Sequence, residues 1–269
     1  MPMNPSFTDF PLNKQLLSAI QAAGFETPTP IQERSINPIL AGAQVVGIAQ
    51  TGTGKTAAFA IPIISKLNYA QGAEPRALIL APTRELALQI TEHFHMLAQN
   101  SDLRILAIYG GSGLKAQREG LQQGIDILIA TPGRLYELYK QGELVLKKVQ
   151  VFVIDEADKM MDMGFIGAIH QLLEVLPNKK QCLLFSATMT SRVEVLYNDF
   201  MEFPMLIESS PQSTPAKTVK QLMYPVPNLK TKLNLLLFLL DQQGKERKTI
   251  VFCKTKTLAN QVFKYLVER

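Results

Sequence analysis

A glycine-rich run near the N-terminus has the residue types that hold a phosphate chain. The run lies between an apolar stretch and a stretch with helical spacing. Two glycines would let backbone amides curl around phosphate oxygens, a lysine would place a cation at the β- and γ-phosphates, and a threonine hydroxyl could ligate magnesium. The alternative is a glycine-rich turn with a surface lysine, which the preceding strand disfavours. The predicted nucleotide-binding residues are Ala49, Gln50, Thr51, Gly52, Thr53, Gly54, Lys55 and Thr56.

Two adjacent carboxylates, Asp155 and Glu156, end another apolar run. Asp155 is suited to hold magnesium through its water shell, and Glu156 is suited to orient or deprotonate an attacking water. An Asp-Glu pair after a strand is common and often marks only the end of that strand. Together with the phosphate loop, however, the pair predicts nucleotide hydrolysis with Thr56 and Asp155 as the metal-binding side chains. Many ATPases share these two elements, so they do not identify a second substrate.

Six short apolar runs alternate with stretches of helical spacing and would position these residues. Each run is almost entirely apolar, as expected of parallel strands covered by helices on both faces. The predicted strands are 45–49, 77–81, 105–109, 125–130, 151–155 and 182–186, and the predicted helices are 12–23, one from Pro30 with Thr29 as its cap, 84–98 and 167–176. This alternation predicts an α/β domain with a mostly parallel sheet.

The composition changes at 209–218, where two prolines and small polar residues predict a linker. We therefore expect a first domain at 1–208 and the beginning of a second at 219–269. The second should contain strands near 219–226 and 249–253, a helix near 230–240 and a final helix from Thr257. The first of these helices is apolar on many faces, so we expect the first domain or a second copy of the chain to cover it.

Composition excludes several other classes of protein. An apolar content of 46% supports a packed core, and no apolar run has the roughly 20 residues that a membrane helix needs. The N-terminal residues lack the features of a secretory signal, and Cys182 and Cys253 lie in apolar runs as expected of reduced thiols in a cytoplasmic protein. The net charge of +5 fits an anionic partner without establishing one.

Several short motifs resemble those of DEAD-box RNA helicases. Residues 155–158 spell Asp-Glu-Ala-Asp, after which that family is named, and Ala49 is usual in its phosphate loop. The run GFETPTPIQ at 24–32 resembles its Q motif. The resemblance implies that Phe25 stacks on adenine and that Gln32 hydrogen-bonds the edge of the base, which would select ATP over GTP. Phe25 taken alone could equally be an ordinary hydrophobic residue at a helix end.

Three further motifs resemble the family's RNA-contacting segments, and each follows an apolar run. They resemble motif Ia, the paired glycines and motif Ib. The resemblance assigns them to the RNA backbone, and hydroxyls, free amides and arginines all suit phosphate oxygens. Such contacts read no sequence, but they can favour RNA through its 2′-hydroxyls. The residues concerned are Pro82, Thr83, Arg84, Gly110, Gly111, Thr131, Pro132, Gly133 and Arg134.

The run Ser186-Ala187-Thr188 resembles motif III, which in the family couples the nucleotide and RNA sites. Here the resemblance implies contacts from Ser186 and Thr188 to Asp158. It also implies a RecA-like P-loop fold, Mg²⁺ and ATP as ligands, and RNA as partner.

The run IVFC at 250–253 resembles motif IV of the second lobe, whereas motifs V and VI are not found in the 269 residues. Motif VI supplies the family's arginine finger, which is worth about 10³ to 10⁵ in rate. We therefore expect a shortened chain with weak hydrolysis on its own. The alternatives are a nucleotide-dependent RNA-binding module with little turnover and a DNA-directed helicase of the wider superfamily.

Overall fold

The computed structural model describes residues 5–111, 113–209, 220, 222–242 and 248–268, without the side chain of residue 114. It divides into two compact units, Met1–Ser213 and Thr214–Arg269. Most of the predicted linker, 210–218, lies outside the described residues, as does residue 219 at the start of the next predicted strand. Among the described residues, no helix is both long enough and apolar enough to cross a membrane.

The first unit is built around one seven-stranded sheet in its described part, with the order β3-β4-β2-β5-β6-β1-β7. Every pairing of neighbouring strands is parallel. The strands are β1 (Val45–Ile48), β2 (Ala77–Leu80), β3 (Ile105–Ile108), β4 (Ile127–Ala130), β5 (Val151–Ile154), β6 (Gln181–Ser186) and β7 (Met205–Glu208). The α/β fold with a mostly parallel sheet is therefore confirmed. The sequence did not predict β7, an edge strand in which only one residue is buried.

Nine α-helices surround the sheet in the described part of this unit, after a short 3₁₀ turn at Phe7–Asp9. They are α1 (Lys14–Ala22), α2 (Pro30–Leu40), α3 (Lys55–Leu67), α4 (Arg84–Leu97), α5 (Leu114–Gln122), α6 (Pro132–Lys140), α7 (Ala157–Asp162), α8 (Ile166–Val175) and α9 (Ser191–Asn198). Six of these helices, α3, α4, α5, α6, α7 and α9, each follow the carboxyl end of a strand after a short loop. Side chains at helix starts are thereby brought to one edge of the sheet.

Both faces of the sheet are buried along β1, β2, β4, β5 and β6, which explains why these strands are almost entirely apolar. Along β1, Val45 belongs to the core beneath α1 to α4, whereas Val46 belongs to the core beneath α6 to α9. This alternation follows from the two-residue period of a strand. Phe59 and Phe185 meet in the first core with ring centroids 5.3 Å apart, and Phe152 is fully buried in the second. The rigid sheet can therefore position the loops at its edge.

Asp126 joins three strands at the amino-terminal edge of the sheet, opposite the predicted site. Its carboxylate accepts hydrogen bonds from Arg76 Nη2 at 2.8 Å, Arg104 Nε at 2.9 Å and the Gln71 backbone amide at 2.9 Å. Burial alone would raise the pKa of this carboxyl group. The hydrogen bonds from Arg104, Gln71 and Arg76 outweigh burial and lower the pKa to about 2. The buried carboxylate is therefore a fully bonded anchor of the first unit.

Replacing Asp126 by asparagine should lower the free energy of unfolding by about 3 kcal/mol at pH 7, because two arginines lose their buried anion. A depressed pKa contributes stability above the unfolded value of 3.8, and that stability is lost as pH falls towards about 2. The difference between wild type and variant should therefore shrink between about pH 4 and pH 2. Urea unfolding of both proteins across this pH range measures the difference in free energy of unfolding. Glu92→Gln, which changes an exposed carboxylate, is the control. A difference that stays constant down to pH 2 would contradict this role of Asp126.

The second unit contains two helices in its described residues, α10 (Leu229–Gln242) and α11 (Lys256–Val267). The predicted strands are wrong there: residues 222–226 and 249–253 have no strand pairing. The described helix α10 has no buried residue, and the expectation that the first domain or a second copy of the chain covers it stays a prediction. The exposed fraction is 56% for Phe238 and 92% for Phe252.

Candidate functional site

All six predicted motif loops of the first unit lie at the carboxyl edge of the sheet. From one end, the strands β3, β4 and β2 lead into the paired glycines, the motif Ib run and the motif Ia run. The strands β5, β6 and β1 then lead into the Asp-Glu pair, the Ser-Ala-Thr run and the phosphate loop. Loops at this edge of a parallel sheet are where such folds bind ligands. The edge thus has two contiguous halves, which meet between β2 and β5.

The phosphate loop is attached to β6 at its start and to α2 at its end. The Ala49 amide donates to the Ser186 carbonyl at 3.0 Å. Gly52 and Gly54 have φ values of 83° and 90°, in the left-handed region that favours glycine. A Cβ on Gly54 would also approach Gln32 Nε2 to 2.3 Å. Glycine at position 54 is therefore required by both backbone conformation and space.

Lys55, the first residue of α3, is the buried cation of this half. Lys55 is only 5% exposed, and its Nζ has no hydrogen-bond partner among the described residues. A buried ammonium without a partner is unfavourable unless an anion offsets its desolvation. It lies where α3 begins, so free helix amides point to the same place. The chain's own groups therefore fit a phosphate oxygen here, with the half-buried Thr56 hydroxyl beside them.

The two carboxylates after β5 differ in their environment. Burial raises the pKa of Asp155 to about 6, although the positive charge of Lys55 lowers it, and the negative charge of Glu156 raises it further. Glu156 lies in a left-handed conformation with φ 52°, an uncommon one for a residue with a side chain. Its Oε2 lies 2.5 Å from Lys159 Nζ. Both carboxylates are buried, and the Glu156 carboxylate is paired with the ammonium of Lys159.

Residues Ser186 and Thr188 contact Asp158, as the motif resemblance implies. The Ser186 hydroxyl accepts from the Asp158 amide at 3.2 Å and donates to the Thr188 carbonyl at 2.9 Å. The Asp158 carboxylate accepts from the Thr188 hydroxyl at 2.9 Å and from its amide at 3.1 Å. The loops after β5 and β6 are therefore joined by three hydrogen bonds, and their coupling role stays a prediction.

The Q-motif residues occupy two different environments. Phe25 is half-buried, packs edge-on against Phe7 with centroids 6.2 Å apart, and lines an open cavity of about 680 Å³. Gln32 is fully buried and does not line that cavity. Its Oε1 accepts from the Thr29 amide at 2.9 Å, and its Nε2 donates to the Gly54 carbonyl at 3.1 Å. Gln32 thus supports the phosphate loop, and its contact with adenine stays a prediction.

The other half of the edge presents arginines, glycines and helix starts. Thr83 caps α4 by accepting from the Leu86 amide at 3.2 Å, and Arg84 is exposed at the first position of that helix. Gly110 and Gly111 are exposed in the turn after β3. Arg134 pairs with Glu137 at 3.3 Å. Thr131, Pro132 and Gly133 form the start of α6, whose proline is buried.

Two residues of the site were missed from the sequence. Lys159 pairs with Glu156, and Tyr109 packs its ring against Arg84, with Cζ 4.9 Å from the ring centroid. Lys159 lies one helical turn after Glu156, and Tyr109 directly precedes the paired glycines. That proximity in sequence was the available signal, but the contacts depend on the backbone geometry of the turns.

Comparison with known proteins identifies the family. A family model described as DEAD/DEAH box helicase matches residues 29–196, which contain both halves of the edge. This chain belongs to the DEAD/DEAH box helicase family. The assignment is consistent with the Asp-Glu-Ala-Asp run at 155–158 and with the sheet order that places it beside the phosphate loop.

Members of this family resemble the chain over almost all of its length. An ATP-dependent RNA helicase RhlB from Shewanella piezotolerans is 41% identical, and the match covers 97% of this chain and 61% of that protein. A DEAD-box ATP-dependent RNA helicase RhpA from Helicobacter pylori is 38% identical over 98% of this chain and 53% of its own length. The chain therefore spans between half and two thirds of the length of these relatives.

A solved structure supports the same fold. The crystal structure of a DEAD box protein from Methanococcus jannaschii is 37% identical, with a TM-score of 0.73, and the match covers 98% of this chain and 70% of that one. A hypothetical ATP-dependent RNA helicase from Sulfolobus tokodaii is 38% identical with a TM-score of 0.68, and covers 73% of this chain. Such similarity confirms the RecA-like fold.

Proposed function

We propose that the chain is the ATP-binding part of an ATP-dependent RNA helicase. It binds Mg-ATP at the phosphate-loop half of the sheet edge and the RNA backbone at the other half, and it hydrolyses ATP to drive local unwinding of RNA duplexes. The observation that carries this proposal is the position of six motif loops at one edge, in two contiguous groups. The printed names of the relatives, which are ATP-dependent RNA helicases, agree with it.

Within the nucleotide half, each side chain has a distinct task. Lys55 donates to phosphate oxygens together with the amides at the start of α3. Thr56 and Asp155 are the residues that would hold magnesium, which when bound neutralises charge that develops on the phosphates. Glu156 holds and deprotonates the attacking water, and Lys159 fixes the position of its carboxylate. This division is supported by the burial of Lys55 and Asp155 and by the ion pair between Glu156 and Lys159.

Within the other half, the groups suit a backbone and not base edges. Amides at Gly110 and Gly111 and at the start of α6 donate to phosphate oxygens, and Arg84 and Arg134 add charge. Hydroxyls of Thr83 and Thr131 lie beside them and are suited to 2′-hydroxyls. We therefore expect binding that depends little on RNA sequence and strongly on salt.

The hydrogen bonds between Asp158 and Thr188 join two loops of the nucleotide half. Asp158 lies two residues after Glu156, so a shift of the loop after β5 must move Thr188 or break two hydrogen bonds. The two halves meet at β2 and β5, where the Asp155 amide donates to the Leu80 carbonyl at 3.0 Å. A change at the nucleotide can thereby reach the segment that contains Arg84.

A binding experiment separates the proposal from its alternatives. Fluorescence anisotropy measures the affinity for a labelled RNA and for a labelled DNA with the same sequence. Each affinity is measured with and without a non-hydrolysable Mg-ATP analogue, which gives four values. The proposal requires tighter binding to RNA than to DNA and an increase in RNA affinity with nucleotide. Equal binding to both would favour a DNA-directed helicase. RNA binding with nucleotide dependence but no measurable ATP hydrolysis would favour a binding module.

Replacing Gln32 by alanine tests how the base is selected. If Gln32 hydrogen-bonds adenine, the affinity for ATP should fall about 10-fold while that for GTP changes little. Titration with fluorescent analogues of both nucleotides measures this. Because Gln32 also donates to the Gly54 carbonyl, equal losses for both nucleotides would show that it only supports the phosphate loop.

A further inference from the structure

Arg84 occupies a position that helix electrostatics disfavours. It is the first residue of α4, where the helix dipole places partial positive charge. A cation there does not stabilise the helix, yet the exposed Arg84 side chain places Cζ 4.9 Å from the centroid of the Tyr109 ring. The contact of Arg84 with Tyr109 offsets part of that disadvantage, because the face of the ring is electron-rich. The contact with the ring therefore partly compensates for the unfavourable helix position and restricts the motion of the Arg84 side chain.

Tyr109 is itself held by neighbouring elements. Its carbonyl accepts from the Nε2 of Gln117, a buried residue of α5, at 3.1 Å. The carbonyl of the preceding residue, Ile108, accepts a hydrogen bond from the Thr131 amide at 2.9 Å. The backbone on which the ring stands is therefore fixed to both α5 and the turn after β4. The backbone that carries the ring therefore has hydrogen bonds of its own and does not depend on Arg84 for its placement.

We propose that Tyr109 is a positioning residue for RNA binding, a role that rests on the proposed function. Its ring holds the planar guanidinium of Arg84 in place at the sheet edge, so that the remaining N–H groups can donate to a phosphate oxygen without first being ordered. Long side chains lose conformational entropy on binding, and ordering them beforehand increases affinity. Tyr109 also links two segments, since it directly precedes Gly110 and Gly111 and contacts the residue after Thr83.

The chemistry of the contact determines which substitutions matter. Phenylalanine retains the ring face, whereas leucine retains bulk without it. An exposed cation–π contact should change affinity by about 2- to 5-fold. Arg84→Lys keeps the charge but loses the flat group that stacks and donates in a fixed geometry. The predicted effects are therefore specific to the ring and to the guanidinium.

A double-mutant cycle with a short labelled RNA tests the proposal. Tyr109→Leu should weaken binding about 2- to 5-fold, and Tyr109→Phe should restore it. In an Arg84→Ala background, Tyr109→Leu should have no further effect. Arg84→Ala should also reduce the slope of log affinity against log salt by about 0.7, whereas Tyr109→Leu should leave the slope unchanged because the charge remains. Unchanged binding of Mg-ADP shows that each variant is folded.

Several results would overturn the role of Tyr109. These are an unchanged or tighter affinity in Tyr109→Leu, an equal loss in Tyr109→Phe, or a loss that persists in full without Arg84. The last would mean that the ring contacts RNA directly. If Tyr109→Leu fails to fold, Arg84→Lys serves as the test, because lysine keeps the charge but cannot stack on the ring. Arg84→Lys must then show the loss of RNA affinity, about 2- to 5-fold, that is expected when the stacking is removed. An unchanged RNA affinity in Arg84→Lys would also overturn the proposal. Absence of RNA binding by the wild-type chain would instead contradict the proposed function itself.

Discussion

Replacing Lys55 by alanine should reduce the affinity for both ATP and GTP at least about 100-fold, because each charge-assisted hydrogen bond to a phosphate contributes about 1.5 to 3 kcal/mol. The phosphates are common to both nucleotides, so the two losses should be equal. The effect is large because Nζ is buried and has no partner among the described residues. Fluorescent-nucleotide titration measures it.

A matched control removes a lysine elsewhere. Lys148 is exposed and lies before β5, at the opposite edge of the sheet from the phosphate loop. Lys148→Ala lowers the net charge by the same amount but should leave nucleotide affinity unchanged. A similar loss in both variants would mean that overall charge, and not the position of Lys55, attracts the nucleotide. A loss confined to ATP would contradict the assignment of Lys55 to the phosphates.

Replacing Glu156 by glutamine should slow hydrolysis by about 10² to 10⁴ while leaving Mg-ATP binding nearly unchanged. The amide has the same shape but cannot accept a proton, and Lys55, Thr56 and Asp155 retain their contacts. Single-turnover hydrolysis of labelled ATP at saturating protein measures the chemical step, and the titration above measures binding. If the rate of hydrolysis and the affinity for Mg-ATP fall by the same factor, Glu156 acts in binding and not as the base.

The ion pair with Lys159 requires its own control, because glutamine at 156 removes that pair as well as the base. Lys159→Met removes the ion pair at 2.5 Å and keeps the carboxylate. We expect a much smaller loss of rate than in Glu156→Gln. Equal losses would mean that the pair, through the orientation of Glu156, accounts for the whole effect.

The sequence predicted β1, β2, β4, β5 and β6 well because each is buried on both faces, and it also predicted β3, an apolar strand whose first three residues are half-buried. For β1 the predicted end was Ala49 and the observed end is Ile48, a difference of one residue. The edge strand β7 has Met205 and Leu206 exposed, so it does not show the continuous burial on which the other predictions depended. The run at 249–253 was apolar but pairs with no strand among the described residues.

The sequence predicted which loops form the site, but not the contacts between their side chains. The motifs showed which residues belong to these loops, and the strand order of the structure then showed which loops are neighbours. The position of Gln32 against Gly54 could not be predicted, because it depends on how closely α2 approaches the phosphate loop. The stacking of Arg84 on Tyr109 joins residues that follow β2 and β3, two strands that are separated by β4 in the sheet. Such contacts depend on tertiary geometry that no local pattern records.

The order of the strands makes the half of the sheet that contains β2, β3 and β4 a single exchangeable block. The strands β2, β3 and β4 are consecutive in the chain, and they are also consecutive at one end of the sheet. Their only strand pairing to the rest of the described sheet is the one between β2 and β5, in which Leu80 lies opposite Ile154. One continuous stretch of gene could therefore be replaced by the corresponding stretch of a relative. Such a chimaera would keep every strand pairing of the nucleotide half, provided that the β2–β5 register and the packing of the helices are preserved.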